Sequence, residues 1–388
     1  MKLLHVIASV DPAGGGPVEG MKLISSSPPM GSHTTEVVTL DSPASRFVSE
    51  FPFKVHACGP GWGRYGYTSK LSNWIAKHGP QFDAAVFHGL WNHSAIGGWQ
   101  GSRRANLPYV LYSHGMMDPW FRNAYPFKHW MKQVFWLAVQ GRVLRDANEV
   151  LFTCEEERQL ARGGFFGYNY RERVVSYGIA VPPPITPLQE SWFRKTVPEL
   201  AGRRFFLFLS RIHEKKGCDL LLTAFAELAS SFPEIDLVIA GPDQHGLTAR
   251  LKMQARQAGI EKRVHWPGML TGEAKWGAFR AAEAFILPSH QENFGIVVAE
   301  AMACGTPVLI TNKVNIWREV AKSGAGYVQD DTKDGVTRLL TDWLQLKEDD
   351  RSFCRVQALR GFERFFRVEK AATDLLAAVE VMKRDRKV

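Results

Sequence analysis

Two carboxylates eight residues apart, Glu292 and Glu300, frame the stretch of this chain best suited to chemistry. Ahead of them a short apolar strand over 284–287 ends at Pro288. Between them lies a small-residue turn, Asn293-Phe294-Gly295, followed by an apolar run of helical character that stops at Cys304-Gly305. Pro307-Val308-Leu309-Ile310 then reads as a buried strand. A helix opening near Gly295 presents unpaired N–H groups and the positive end of its dipole to the loop. Glycine there lets an anion such as a phosphate come close. Glu300 falls inside the helix among Val297, Val298, Ala299, Ala301 and Met302, so its carboxylate needs a partner. A pair of ribose hydroxyls and a neighbouring lysine or arginine both meet that need.

A second cluster is Ser210-Arg211-Ile212-His213-Glu214-Lys215-Lys216-Gly217, after an apolar strand over 205–209. Arg211 offers a fork to phosphate oxygens and Lys216 a point charge. Alone, the segment reads equally as an ordinary basic surface loop. Beside a helix N-terminus in the same half, it reads as a diphosphate site. In the first half, Asp11-Pro12-Ala13-Gly14-Gly15-Gly16-Pro17 follows the first strand. The spacing fails the Gly-x-Gly-x-x-Gly fingerprint, but Gly15 and Gly16 permit close backbone approach by a ligand; the plainer reading is a turn. His88, Gly89 and Trp91 sit at one strand end, and His114, Gly115 and Asp118 at another.

These residues need a scaffold that gathers strand ends. Strands are expected at 2–9, 34–40, 53–58, 84–87, 109–113, 149–153 and 173–177, several of them continuous apolar runs, as in strands buried on both faces. Helices are expected near 17–27, 68–78, 94–105, 127–146 and 154–162. The alternation breaks at the proline run 180–187, a stiff linker. It then restarts, with strands at 205–209, 235–240, 264–266, 284–287 and 308–310 and helices near 216–231, 246–258, 271–282, 296–303 and 333–347. The pattern predicts an α/β chain of two Rossmann-like, doubly wound parallel sheets facing a cleft. The boundaries fall at 1–184 and 185–364, with a terminal helix over about 365–388 packing back on the first domain. Ligands bind such sheets outside the carboxyl ends of the strands.

The length, 388 residues, suits two domains. A net charge of +9 favours an anionic partner: nucleotide, nucleic acid or membrane surface. Five scattered cysteines lack metal-ligand spacing and indicate neither a disulfide framework nor a zinc site, which fits a cytoplasmic setting. The apolar N-terminal run reads as a strand rather than a signal core, and no apolar run reaches the length of a membrane span. Arg122–Arg145 mixes Lys128, Lys132, Arg142 and Arg145 with Trp130, Phe135 and Trp136. Such a helix either packs its aromatic face on the sheet or lies on anionic lipid. The basic tail over 383–387 reads as a solvated end.

The Arg211…Lys216-Gly217 loop followed by Glu292-x7-Glu300 resembles the retaining glycosyltransferases of family 4, nucleotide-sugar enzymes of the GT-B fold. Ser210 departs from the glycine usual before that arginine. The resemblance implies transfer of a sugar from GDP-mannose or a UDP-sugar to a glycan or lipid-linked glycan in bacterial polysaccharide synthesis, with retention. It implies Arg211 and Lys216 on the donor diphosphate and N–H groups from Phe294, Gly295 and Ile296 on phosphate or sugar oxygens, beside Asn293. Glu292 would hold the transferred sugar, Glu300 the ribose, and the backbone at Met269 and Leu270 the base. Gly15 and Gly16 would line the donor, His114 would contact the donor sugar near the reacting centre, and His88 and Asp118 would serve the acceptor. With no Asp-x-Asp motif, no metal or other cofactor is expected. Peripheral contact with an anionic membrane, at its cytoplasmic face, is a further implication. A nucleotide-sugar epimerase on the same scaffold is the alternative, ahead of a non-catalytic nucleotide or RNA binder, for which no RNA-binding signature is present. A phosphorylase would require a pyridoxal lysine.

Overall fold

The computed structural model describes the backbone of residues 1–385 except 121, 123, 124, 244 and 245, and side chains up to 381; the side chains of the basic tail lie outside these. The chain forms two units, one of Met1–Gly178 with Val368–Val388 and one of Ile179–Arg367. The crossing at Gly178 precedes the proline run, and the chain returns after Arg367, so the last helix belongs to the first unit.

In the first unit the strands are β1 (Lys2–Val6), β2 (Thr34–Thr39), β3 (Lys54–Ala57), β4 (Ala84–His88), β5 (Tyr109–Tyr112), β6 (Glu149–Phe152) and β7 (Glu172–Val174). They form one sheet in the order β3-β2-β1-β4-β5-β6-β7, every pair parallel. All five residues of β4 are buried, which is why it reads as an unbroken apolar run. The helix Val368–Asp385 supplies Val368, Ala371, Ala372, Leu375, Ala378 and Val379 to a core that includes Leu3, Val86, Val110 and Leu151. Gly178, at φ +66°, lets it seat there: a Cβ would lie 2.4 Å from the Val368 Cα.

The second unit repeats the plan with β8 (Arg204–Leu209), β9 (Ile235–Ala240), β10 (Val264–Gly268), β11 (Ala284–Leu287), β12 (Val308–Thr311) and β13 (Gly326–Gln329), in the order β10-β9-β8-β11-β12-β13, also parallel. In each sheet the first strand sits inside, with the chain winding outward on one side and then on the other. The loops after β1 and β4, and those after β8 and β11, therefore flank a topological switch point.

Several elements escape the sequence pattern. β13 is short, carries a glycine and a glutamine, and is half-buried throughout. The helix Pro187–Thr196 begins on the last proline of the expected linker, proline being favoured in a first helical turn. It packs so closely on the helix Gly272–Ala281 that a Cβ at Gly277 would lie 2.0 Å from the Gln189 carbonyl oxygen. The expected terminal helix is Val368–Asp385, and a further helix, Glu348–Phe365, precedes it where none was expected. All five cysteines are free. Among the described residues no helix is long and apolar enough to cross a membrane.

Leu375 is 1% exposed. Leu375→Ala is expected to cost about 3 kcal/mol, the usual loss for a buried leucine whose neighbours cannot close the cavity. Urea denaturation measures it, and an unchanged midpoint would show that the terminal helix does not stabilise this unit.

Candidate functional site

In the second unit the two clusters singled out by sequence meet, because β8 and β11 are neighbours. Gly217 makes the meeting possible. It sits at φ +66°, and a Cβ there would lie 2.1 Å from the Pro288 carbonyl oxygen. The His290 N–H donates to the Lys215 carbonyl at 2.8 Å, and Lys215 Nζ donates to Gln291 Oε1 at 3.0 Å. Lys216 is 6% exposed and its ammonium pairs with the Glu292 carboxylate. Glu292 is fixed by its own backbone, its N–H on the Lys313 carbonyl and its carbonyl accepting from Asn315 N–H. Arg211 is exposed and pairs with no carboxylate among the described residues.

Gly295, at φ +77°, caps the helix Ile296–Ala303 with no side chain over its end. Four residues of a helix start have no intrahelical acceptor, so this end carries N–H donors and partial positive charge. Phe294 is 3% exposed and its ring stands edge-on to Phe366. Asn293 Oδ1 accepts from Asn315 Nδ2 at 3.4 Å.

Glu300 settles one open alternative in part. Its Oε1 accepts from Lys275 Nζ at 2.6 Å, the lysine that sequence reasoning left unnamed. Its Oε2 is buried with no hydrogen-bond partner. Burial raises the carboxyl above its ordinary range and Lys275 opposes the rise. Lys275 lies on the helix Gly272–Ala281, and nothing in the local spacing ties that helix to Glu300. In the turn closing β10, Gly268 has φ +74°, Met269 is 66% exposed and Leu270 is buried.

In the first unit Gly15 has φ +68° and caps the helix Gly16–Ser26 with nothing within 4 Å of where a Cβ would stand, so the backbone is open to approach. Asp118 Oδ1 accepts from the Trp120 N–H at 2.8 Å; it turns the local chain, the capping alternative to an acceptor contact. His88 departs from expectation. It is 5% exposed, with Nε2 on His5 Nδ1 at 2.9 Å and Nδ1 on His114 Nε2 at 3.1 Å. Both ring nitrogens are occupied within the protein, so it does not present a polar atom to an acceptor. His114 is bonded through Nδ1 to the Tyr177 hydroxyl as well. Burial pushes His5 down to about 4 and His114 to about 3, and holds His88 well below its ordinary value, with the neighbouring histidines adding to the effect.

His114 has φ +51°, a left-handed conformation that costs a non-glycine residue on the order of 1 kcal/mol. The loop is held by a residue the sequence did not flag. Glu157, 3% exposed, accepts through Oε1 from Ser113 Oγ and Gly115 N–H, both at 2.6 Å. Its Oε2 accepts from Thr153 N–H at 2.7 Å and Thr153 Oγ1 at 2.6 Å. Trp91 has φ +69°, its N–H on Gln140 Oε1 at 3.1 Å. Gln140 closes a five-residue π-helical turn, Trp136–Gln140, a distortion frequent at functional sites.

The helix Pro126–Phe135 that leads into this turn does not bury its whole aromatic face. Phe127, Trp130, Met131, Val134 and Leu137 are 72, 62, 54, 50 and 40% exposed. They recur at helical spacing and so form one outward stripe, beside Lys128, whose ammonium lies over the Tyr125 ring. Trp136, 1% exposed, and half-buried Phe135 are the members that pack inward.

Two family models match the chain: glycosyl transferases group 1 over residues 190–355, and a glycosyl transferase 4-like domain over residues 29–178. A D-inositol 3-phosphate glycosyltransferase of Jonesia denitrificans is 27% identical over 309 residues, covering 76% of this chain and 71% of the relative. One of Arthrobacter sp. is 34% identical, over 44% of this chain and 41% of its own length. Against several of these relatives the chain matches only about half of their length. Among solved structures, Anabaena Alr3699/HepE in complex with UDP superimposes with a TM-score of 0.80 at 17% identity, covering 98% of this chain and 100% of that one. Sucrose-phosphate synthase from Thermosynechococcus elongatus gives 0.76 at 18% identity over 98% and 99%. These neighbours are GT-B glycosyltransferases and establish the fold.

Glu157 gives a test of how the first-unit loop is built. Glu157→Gln presents an NH2 group to one pair of donors in place of an acceptor, and is expected to cost about 2–3 kcal/mol. The Gly115 amide should also lose hydrogen-exchange protection. A variant with unchanged stability and protection would mean the carboxylate does not hold this loop.

Proposed function

We propose that the chain, which matches the group 1 glycosyltransferase model over residues 190–355 and the 4-like model over 29–178, is a glycosyltransferase of that group and moves a sugar from a nucleoside diphosphate sugar to a glycan or lipid-linked glycan acceptor, with retention and without a metal. The observation that carries this reading is the convergence of exposed Arg211, buried Lys216 and the open helix start at Gly295 on one edge of the second sheet. That grouping suits a diphosphate, whose charge it neutralises by preorganised donors. Arg211 takes phosphate oxygens as a fork, and N–H groups at Phe294, Gly295 and Ile296 take others. The unpartnered Glu300 Oε2 accepts from a ribose hydroxyl while Lys275 balances its charge. The backbone at Met269 and Leu270 lies along the base. Glu292 accepts from hydroxyls of the transferred sugar. Since it pairs with Lys216 in the structure, donor binding redistributes Lys216 between that carboxylate and the phosphate.

The bond between the anomeric carbon and the phosphate oxygen breaks, leaving negative charge on the nucleoside diphosphate. The acceptor hydroxyl attacks from the same face and its proton passes to the departing phosphate. No enzymic nucleophile is needed. Gly15, Gly16 and the His114 loop act from the first unit, which also takes the acceptor; His88, buried behind His114, acts through it. The exposed Phe127–Leu137 stripe with its lysines suits an anionic membrane surface. That supports a lipid-linked acceptor and a place at the inner face of a bacterial membrane.

Three experiments test this. A thermal-shift screen of UDP-, GDP- and ADP-sugars is expected to give stabilisation by one nucleotide class, since a ligand stabilises in proportion to occupancy. UDP-sugars come first because the HepE structure holds UDP. With that donor, Glu292→Ala should lose about 100-fold or more in turnover, and near-wild-type transfer would refute its role. Pelleting with anionic liposomes at low salt should capture the protein, and Trp130→Glu should release it; failure to pellet removes the membrane from the reading.

A further inference from the structure

The first unit contains a line of side chains that donor binding does not account for. His5 on β1, His88 at the end of β4 and His114 beyond β5 come from strands adjacent in the sheet. Tyr177 arrives from beyond β7. Their hydrogen bonds run without a break, His5 Nδ1 to His88 Nε2 at 2.9 Å, His88 Nδ1 to His114 Nε2 at 3.1 Å, and His114 Nδ1 to the Tyr177 hydroxyl. The rings are nearly parallel, at 18° between His5 and His88, 9° between His88 and His114, and 15° between His114 and Tyr177. His5, His88 and Tyr177 are 1, 5 and 5% exposed. Gly20 makes room at one end: a Cβ there would lie 2.5 Å from Tyr177 Cδ1. At the other end, His5 Nε2 is buried with no partner.

A neutral imidazole has one N–H and one lone pair, so the bonds of such a chain all point the same way. If they ran from Tyr177 toward His5, the proton left over would be an N–H on the unpartnered His5 Nε2. If they run from His5 toward Tyr177, His5 Nε2 keeps a bare lone pair and the proton left over is the Tyr177 O–H, which can rotate toward an acceptor as a fixed ring N–H cannot. In folded proteins an orphaned buried N–H is the rarer of the two, as seen for backbone groups. A cationic imidazole would donate from both nitrogens and reverse the bonds on one side of it, but the burial of the row disfavours a charged ring.

We propose that His5, His88 and Tyr177 are positioning residues for His114: one hydrogen-bonded chain of neutral imidazoles, running from His5 to Tyr177, that holds the proton of each ring on Nδ1 and pins the His114 ring beneath its left-handed backbone. The chain supplies the anchor that a non-glycine residue at φ +51° requires, and His5 acts on the strand-end loop from two side chains away. The functional weight of the chain rests on the reading of the His114 loop as part of the active site. The tautomers do not.

Long-range proton–nitrogen NMR of the full-length protein labelled at its histidine rings reads the tautomers directly, with no substrate present. The expected result is three Nδ1–H imidazoles at neutral pH, against the Nε2–H form that free histidine prefers. His5→Leu should release His88 and His114 to mixed tautomers, and His5→Asn, whose amide N–H stands where Nδ1–H stood, should restore them. Nε2–H or cationic rings in the wild type overturn the proposal, as does a His5→Leu spectrum in which His88 and His114 are unchanged. If His5→Leu does not fold, the wild-type spectrum decides alone. Three Nδ1–H rings in a protein that no nucleotide sugar stabilises would support the chain while removing the transferase reading of the site, so the two stand or fall separately.

Discussion

A buried lysine must be answered by a carboxylate, and in the second unit that requirement ties the two functional loops together. Lys216 sits after β8 and Glu292 after β11. An isolated ammonium at that depth would cost far more than the fold can spare. The pair forms because β8 is the inner strand of its sheet, with β11 beside it, and because Gly217 lets the basic loop press on the Pro288 carbonyl. Arg211 and the helix start at Gly295 then fall on the same edge. The ion pair and the anion-binding surface are thus two aspects of one switch-point geometry.

The first unit uses the same topology with the opposite electrostatics. Where β8 and β11 bring charges together, β1, β4 and β5 bring neutral, desolvated imidazoles together. Burial holds those rings uncharged, so they act through hydrogen-bond geometry rather than through field. A carboxylate, Glu157, joins this arrangement, and four protein donors satisfy it. The loop at His114 is therefore held from two sides, by the imidazole row and by that carboxylate, which is how a strained backbone persists at a strand end.

The exposed stripe on the helix Pro126–Phe135 shows the limit of composition as a guide. Aromatic and basic residues at helical spacing fit both a packed helix and a surface helix. The helix leaves Trp130, Met131 and Val134 outside, and the five-residue π-turn that follows begins at Trp136, which is buried. No periodicity argument resolves that, because the period itself changes within the segment.

The sequence by itself determined that the chain is two parallel α/β sheets, since strands buried on both faces and alternating with helices have few other solutions. It also determined that Arg211, Lys216, Glu292 and Gly295 lie in loops at strand ends and Glu300 on the helix that follows, because apolar runs and prolines mark those ends locally. Tertiary structure decided the partners. Lys275 meets Glu300, Glu157 meets Ser113 and Gly115, and His88 turns to His5 and His114 rather than outward. Each of these contacts spans residues far apart in the chain or on separate elements. They depend on which strands are neighbours and on which face each side chain leaves, and a crossover connection records neither in local spacing. The order β3-β2-β1-β4-β5-β6-β7 set the three histidines in a row, and only the folded sheet holds that order.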